Sequence, residues 1–402
     1  MSGISRDVSG REIYQLNYTT GIIPSPTRTT YIPFGDSYVA ASGTQEYSTG
    51  STRQQGAISF WLEALLGGRL RPIRNAGVNG NSTSQMLARI QADVLAYSPN
   101  IVLLLTPGIN DIQGQATPDV TALQSNLTSI FDQLRNAGIL CVTITVPPTV
   151  NMTSTAQKQA LFTHNRWLLD QASARAGLIV VDPFTAISDT ASLAWRSGYS
   201  DDGIHPNGNG SFAVATKLAV ALDKLLPSTG SLIGKSNLDP YEIMPNARMN
   251  GNTAGVATSV TITGGTGTAS KVARTDTNGE WQKWVNTSGT NFILQLNSTG
   301  FSVGDTVVGR MELYVEAPYT TTSSYIEMQA RTGANALITP SIVQYLAGST
   351  DAPIFGSSSS PIIIQTNPFV VPATAVYMRI HHVMTGAGTV YIGAMSIRKV
   401  GV

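Results

Sequence analysis

One cysteine, Cys141, occurs in the 402 residues of this chain. That excludes an internal disulfide and any zinc cage built from several thiolates. Its place in the apolar run 139–146 reads as a buried, inert thiol. Charged side chains are also scarce, at 12%, about half the share usual in globular proteins. With a net charge of +1 and no Lys/Arg-rich run, the chain offers little to a nucleic-acid backbone or an anionic membrane. No stretch approaches the roughly 18 apolar residues of a membrane span. The first residues also lack the basic and apolar segments of a signal peptide. Glycine, serine, threonine and asparagine stand where charges usually do. The resulting surface is polar but uncharged, which suits an extracellular or virion-associated protein, a phage tail among them.

Hydrophobic residues make up 42%, enough for packed interiors, and the length suits two domains. Residues 1–27 show no sustained period and end in Pro24 and Pro26, as an N-terminal arm or linker does. From 28 to about 235, short apolar runs alternate with amphipathic ones. Runs at 30–34, 70–75, 101–106, 140–146 and 178–182 read as strands, and those at 57–66, 83–97, 118–136, 155–176 and 210–226 read as helices. Leu123, Leu127, Ile130 and Leu134 form one helical stripe. Several of the strands have too few polar residues to face water on either side, as in a parallel sheet covered by helices. The expectation is a three-layer α/β domain. Beyond Pro227 the period changes to two: Met311, Leu313 and Val315 alternate with polar residues, and Val376, Met378 and Ile380 alternate likewise with Tyr377, Arg379 and His381. Many short strands with Gly-rich turns point to an all-β sandwich over 240–402.

Reactive groups of an open parallel sheet collect at the carboxyl ends of its strands. Four short motifs fall there: Gly35-Asp36-Ser37-Tyr38, Asn75-Ala76-Gly77-Val78-Asn79-Gly80, Gly108-Ile109-Asn110-Asp111 and Asp201-Asp202-Gly203-Ile204-His205. A Gly-Asp-Ser triplet alone arises by chance in about one such chain in ten, so the weight lies in order and placement. Together the four segments resemble blocks I, II, III and V of the SGNH (GDSL-like) hydrolase family over about residues 30–226. The resemblance implies a flavodoxin-like three-layer α/β/α fold with Ser37 as nucleophile and Asp202 and His205 as its partners. It further implies an oxyanion hole from Ser37, the backbone N–H of Gly77 and the side-chain amide of Asn110. Tyr38 departs from the family, whose name carries leucine at that place.

The chemistry asks for these residue types. A serine hydroxyl is a poor nucleophile until a neighbouring base removes its proton. Histidine is the side chain suited to that task near neutral pH, and an aspartate holds its tautomer and stabilises the imidazolium. The plainer alternatives are Ser37 as a turn or cap residue, Gly77 as a turn former, Asn110 as a partner of loop backbone, Asp202 as a cap and His205 as a surface histidine. Asp36 and Asp111 read as structural. Gly300-Phe301-Ser302-Val303-Gly304 matches a nucleophile-elbow pattern, but it precedes a strand in an all-β region and reads as a turn. His381 and His382, adjacent in a strand, point to opposite faces. His164 sits on a polar helix without metal partners in sequence. No phosphate-binding glycine loop occurs, and neither a cofactor nor a metal is expected.

The second half loosely resembles jelly-roll carbohydrate-binding modules, which makes Trp281, Trp284, Tyr314, Tyr319, Tyr325 and Tyr345 candidates for stacking on sugar rings, with a core role the alternative for the two tryptophans. Its alternative role is building a homo-oligomer. The resulting expectation is a serine esterase, an O-acetylesterase that deacetylates a polysaccharide. A lipase or arylesterase of the same family is the enzyme alternative, and a glycan-attachment protein the non-enzyme one. The polar segment after Ser37, residues 39–55, is part of the reason for acetyl over long acyl chains.

Overall fold

The computed structural model describes residues 5–6, 12–13, 29–40, 52–53, 57–227, 232–234, 237–239, 241–297, 300–347 and 353–400. Most of the arm 1–27, and most of the polar segment 39–55, lie outside the described residues. Within the arm, Ser5–Arg6 pairs antiparallel with Glu12–Ile13.

The first half is built on a parallel sheet. Its strands are β1 (Thr29–Gly35), β2 (Leu70–Pro72), β3 (Ala76–Gly77), β4 (Ile101–Leu104), β5 (Leu140–Ile144) and β6 (Leu178–Val181). They lie in the order β2-β1-β4-β5-β6, with β3 continuing beside the end of β1. This is the flavodoxin-like order expected for the family fold, with β1 and β4 meeting at the topological switch point. Residues 101–105 are wholly buried, so β4 is covered on both faces as its unbroken apolar run requires. The helices are α1 (Ser37–Ala40), α2 (Ile58–Leu65), α3 (Thr83–Asp93), α4 (Ile109–Gln113), α5 (Val120–Asn136), α6 (Thr155–Ala174), α7 (Phe184–Ile187) and α8 (Gly208–Leu222). The stripe Leu123, Leu127, Ile130 and Leu134 is the buried face of α5. Capping boxes start α3 (Ser82 with Gln85) and α6 (Ser154 with Gln157), fixing where each helix begins. The short α1 and α4, unforeseen in the periodicity, follow the ends of β1 and β4.

The second half is all-β and antiparallel, as expected, but its strands are few and long. They are β7 (Val260–Ala273), β8 (Glu280–Asn297), β9 (Thr306–Arg331), β10 (Leu337–Ala347), β11 (Ile362–Gln365), β12 (Phe369–Val370) and β13 (Tyr377–Lys399). The order is β7-β8-β13-β9-β10, with β11 and β12 also on β9. Positions read as turns are bulges inside strands. The β7–β8 register shifts at Gly264 and Thr266, and the β9–β13 register shifts around Glu316 and Thr321. Gly264 and Gly265 hold φ of +69° and +63°, which only glycine adopts freely. The sheet thereby bends back on itself: a Cβ on Gly309 would lie 3.2 Å from Met328 Sδ and 3.3 Å from Ile380.

The two halves share one apolar core. Trp61 of α2 is fully buried, 5.3 Å from Phe355 and 5.3 Å from Phe212 of α8, and Phe355 also meets Tyr319 of β9. The chain leaving α8 is tied to the β half by arginines. Arg310 and Arg398 donate to Leu232 O (3.1 and 2.9 Å), and Arg248 donates to Ile233 O (3.1 Å). Truncating Phe355 therefore removes a joint and not a local contact. Phe355→Ala should lower stability by about 3–5 kcal/mol. Urea unfolding followed by circular dichroism should remain a single transition. Two separated transitions, or an unchanged midpoint, would show that the halves stand independently.

Candidate active site

β1 ends in Gly35, whose Cβ-less backbone lets Leu105 O and Val39 pack against it. The buried Asp36 follows, and its Oδ1 accepts the Tyr38 N–H at 3.0 Å. Val39 and Ala40 N–H groups donate to Asp36 O, so the chain turns at once from strand into α1. Ser37 opens that helix at the carboxyl edge of the sheet.

His205 arrives 168 residues later, in the loop before α8, with Nε2 2.9 Å from Ser37 Oγ. Its Nδ1 lies 2.7 Å from Asp202 Oδ2. With the ring neutral, these contacts assign the proton to Nδ1, leaving Nε2 to accept from serine. The other carboxylate oxygen, Asp202 Oδ1, accepts the backbone N–H of Ile204 (2.8 Å) and of His205 (2.7 Å). Partial desolvation raises the Asp202 carboxyl, but hydrogen bonds from the His205 side chain and backbone and from Ile204 N–H outweigh it, leaving about 2. The three-residue spacing is thus a closed local turn around one carboxylate. Gly203, at φ +73° and beside Val150, allows its curvature.

Asn110 reaches the same place on α4. Its Nδ2 donates to Asn81 O at 3.0 Å and lies 3.4 Å from Asp36 Oδ2. Its Oδ1 accepts from Gln113 Nε2 at 3.1 Å, and Gln113 Oε1 in turn accepts from Thr149 Oγ1 at 2.9 Å. Asp111 accepts the Thr83 N–H and hydroxyl, both at 2.9 Å, tying α4 to the start of α3. The loop before α4 carries positive φ at Thr106 and Gly108 and rests on His164, whose Nε2 is 2.8 Å from Pro107 O. His164 is fully buried and stacked near Trp167, not on a solvated face.

Gly77 is not placed as expected. Its N–H donates to Asn75 Oδ1 at 2.9 Å, and a Cβ there would lie 2.2 Å from Ala40 N. It is the floor on which α1 sits. Gly80 occupies the cleft instead, beside Ser37, Ala40, Asn110, Ile204 and His205. At φ +73°, its N–H has no acceptor among the described residues. Both glycines stand in one motif, and only the backbone path separates them. The cleft has a volume of about 540 Å³ and is open to solvent.

Trp281 and Trp284 follow the core alternative and not the sugar-stacking one. Both are buried. Trp281 meets the edge of Tyr314 at 4.9 Å and carries the Arg274 guanidinium over its ring at 4.1 Å, with Gly393 against it. Trp284 belongs to the apolar core. Neither offers a face to a ligand. Ser302 lies in a turn entering β9, its N–H on Asp305, as expected of a decoy. His381 and His382 part as expected, one on Glu327 (2.6 Å), the other on Ser324 (3.1 Å). Among the described residues, no group of three His, Cys, Asp or Glu could hold a metal, and no helix is long and apolar enough to cross a membrane.

Residues 34–211 match the model of the GDSL-like Lipase/Acylhydrolase family. The α/β half is therefore a GDSL-like acylhydrolase domain. Similar solved structures include a GDSL-like lipase from Bacteroides thetaiotaomicron VPI-5482 at 17% identity, covering 49% of this chain and 89% of that one, TM-score 0.39. An acetyl xylan esterase aligns at 22% identity over 48% of this chain and 99% of its own, TM-score 0.40. A variant of an acetyl-xylooligosaccharide esterase from Geobacillus Stearmophilus aligns at 19% identity over 50% and 97%, TM-score 0.39. Comparison with curated proteins gave no match.

Two outcomes follow from this geometry. Gly77→Ala should lower the melting temperature, because its methyl has no room under α1. Gly80→Ala has room for its methyl but is strained at φ +73°, so it should swing the N–H out of line with the cleft and lower kcat with a smaller loss of stability. Equal losses of kcat at equal stability would return the role to Gly77.

The second concerns His164, which burial lowers from 6.5 to about 4 although Pro107 O favours its charged form. Between those values the unfolded chain binds the proton and the folded one does not. Stability must therefore fall as pH drops through that window, by on the order of 2–3 kcal/mol. His164→Gln should flatten the change in urea midpoint between pH 7 and pH 4.5. An identical slope in both proteins would place the acid sensitivity elsewhere.

Proposed function

We propose that this chain is a serine esterase that removes short acyl groups, acetyl foremost, from a polysaccharide through an acyl–Ser37 intermediate. The observation that carries the reading is the continuous path Asp202 carboxylate, His205 imidazole, Ser37 hydroxyl, at 2.7 and 2.9 Å, opening on a cleft. Ser37 Oγ attacks the ester carbonyl carbon while His205 Nε2 takes its proton. The carbonyl oxygen becomes an oxyanion facing the N–H groups of Ser37 and Gly80 and the amide of Asn110. When the C–O bond to the alcohol breaks, His205 returns the proton to the departing oxygen. A water then attacks the acyl-serine by the same route, releasing the acid and restoring Ser37. Asp202 stays ionised and holds the imidazole tautomer throughout.

Preference for a short acyl group is supported by the side chains of the lining, where three amides, Asn79, Asn110 and Gln113, stand beside the apolar Ala40 and Ile204. The same amides suit the hydroxyls of a sugar. A glycan outside a cell or at its surface fits the low-charge polar composition.

Ser37→Ala should cut ester turnover by roughly 10⁴-fold with the melting temperature unchanged. The wild type should release acetate from acetylated glycans, and its rate on p-nitrophenyl esters should fall from two carbons upward. Rising activity with chain length would favour a lipase, and undiminished turnover in Ser37→Ala would remove the nucleophile.

A further inference from the structure

The residue after the candidate nucleophile is Tyr38, where the family name carries leucine. Its hydroxyl donates to Ile204 O, the carbonyl immediately before His205. The indole N–H of Trp195 donates to the same oxygen at 3.0 Å. We propose that Tyr38 and Trp195 are positioning residues that clamp the Ile204–His205 peptide and so hold the His205 imidazole in line with Ser37. The proposal rests on the esterase reading above.

A peptide unit is rigid and planar, so anchoring both its ends fixes the α-carbon that follows. On one side, the carbonyl oxygen takes two donors. On the other, the His205 N–H is held by Asp202 Oδ1 at 2.7 Å. The side chains of His205 and Asp202 are 39% and 51% exposed, so packing covers them only in part. The clamp lies on the buried side of the loop. Tyr38 is 2% exposed and Trp195 7%. Burial pushes the Tyr38 phenol well above its ordinary range, so it stays a donor at any working pH. Its ring also faces the imidazole, with centroids 5.5 Å apart.

Tyr38 is bonded to Ser37. The hydrogen bond therefore joins the nucleophile's own helix to the histidine's loop across 166 residues of chain. Leucine could fill the space but donate nothing. Trp195 comes from the short hairpin of Ser188–Asp189 and Ala194–Trp195, which gives that hairpin a task at the site.

The test is made on the full chain with p-nitrophenyl acetate. Tyr38→Phe keeps the ring and deletes one donor, and Trp195→Phe deletes the other. Each should lower kcat about two- to tenfold with KM unchanged, the range one neutral hydrogen bond commands. The double variant should lose more than either. Proton NMR gives a readout independent of turnover: the downfield Nδ1–H resonance of His205, sharp in the wild type, should broaden in each variant as the imidazole loses its fixed orientation. Should Tyr38→Phe fail to fold, Trp195→Phe tests the same carbonyl. Full kcat with a sharp resonance and only a lower melting temperature would reduce both residues to packing and overturn the proposal. A changed KM at constant kcat would overturn it too. A wild type inactive on every ester, yet with a resonance that broadens in the variants, would instead sink the esterase reading and leave the clamp standing.

Discussion

Four chain segments must meet within hydrogen-bonding distance for this cleft to exist, and two side chains, one buried and one half-buried, hold three of them together. The first is Asp36. Its carboxylate caps the turn into α1 through the Tyr38 N–H and accepts Thr106 Oγ1 from the end of β4 at 3.2 Å. It also lies 3.4 Å from the Asn110 amide. Burial pushes this carboxyl up to about 7, against hydrogen bonds from Tyr38 and Thr106 that pull it down. The second is Arg89 of α3, which donates to Gly35 O (2.6 Å), Ala76 O (2.8 Å) and Asn81 Oδ1 (2.7 Å). Asp36 joins the serine turn to the Asn110 loop, and Arg89 joins it to the glycine loop. Neither touches the cleft, and both set its dimensions.

This division explains what the sequence made legible. Ser37, Asp202, His205 and Asn110 are reactive or polar types in short motifs at strand ends, and the motifs bring them together in the structure. Gly77 and Gly80 are the same residue type in one motif. Only the backbone tells them apart: Gly77 lies flat under α1 with its N–H on Asn75, while Gly80 turns left-handed into the cleft. Arg89 was invisible because a lone arginine on a helix reads as a solvated charge. Besides Asp93 one turn along the helix, its oxygen partners Asn81, Ala76 and Gly35 lie 8, 13 and 54 residues away, beyond any helical spacing.

Composition misled most in the second half. Gly-rich stretches look like hairpin turns, yet at Gly264-Gly265 the chain stays in β7 and bends. Long strands that bend at bulges have the same local signature as short strands joined by turns. Trp281 and Trp284 were ambiguous for a related reason. A large aromatic serves a core as well as a ligand, and Arg274 lies where a sugar would have to stack. The joint of Trp61, Phe212 and Phe355 was hidden too, since each is an ordinary apolar residue of its own half.

The openness of the cleft shapes how its catalytic order can be kept. A deeply buried triad can use a low dielectric to strengthen its contacts. Here the imidazole and carboxylate are substantially solvated, and water competes for every hydrogen bond they make. Order must then come from redundancy. Asp202 is held ionised by three donors within its own turn, so its charge survives well into acid. Asn110 is oriented from both ends of its amide, by Asn81 O and by Gln113. The His205 loop is secured on its dry side, where Tyr38 and Trp195 need not compete with solvent. An exposed site of this kind cannot draw rigidity from enclosure, and the rigidity it requires is supplied from beneath.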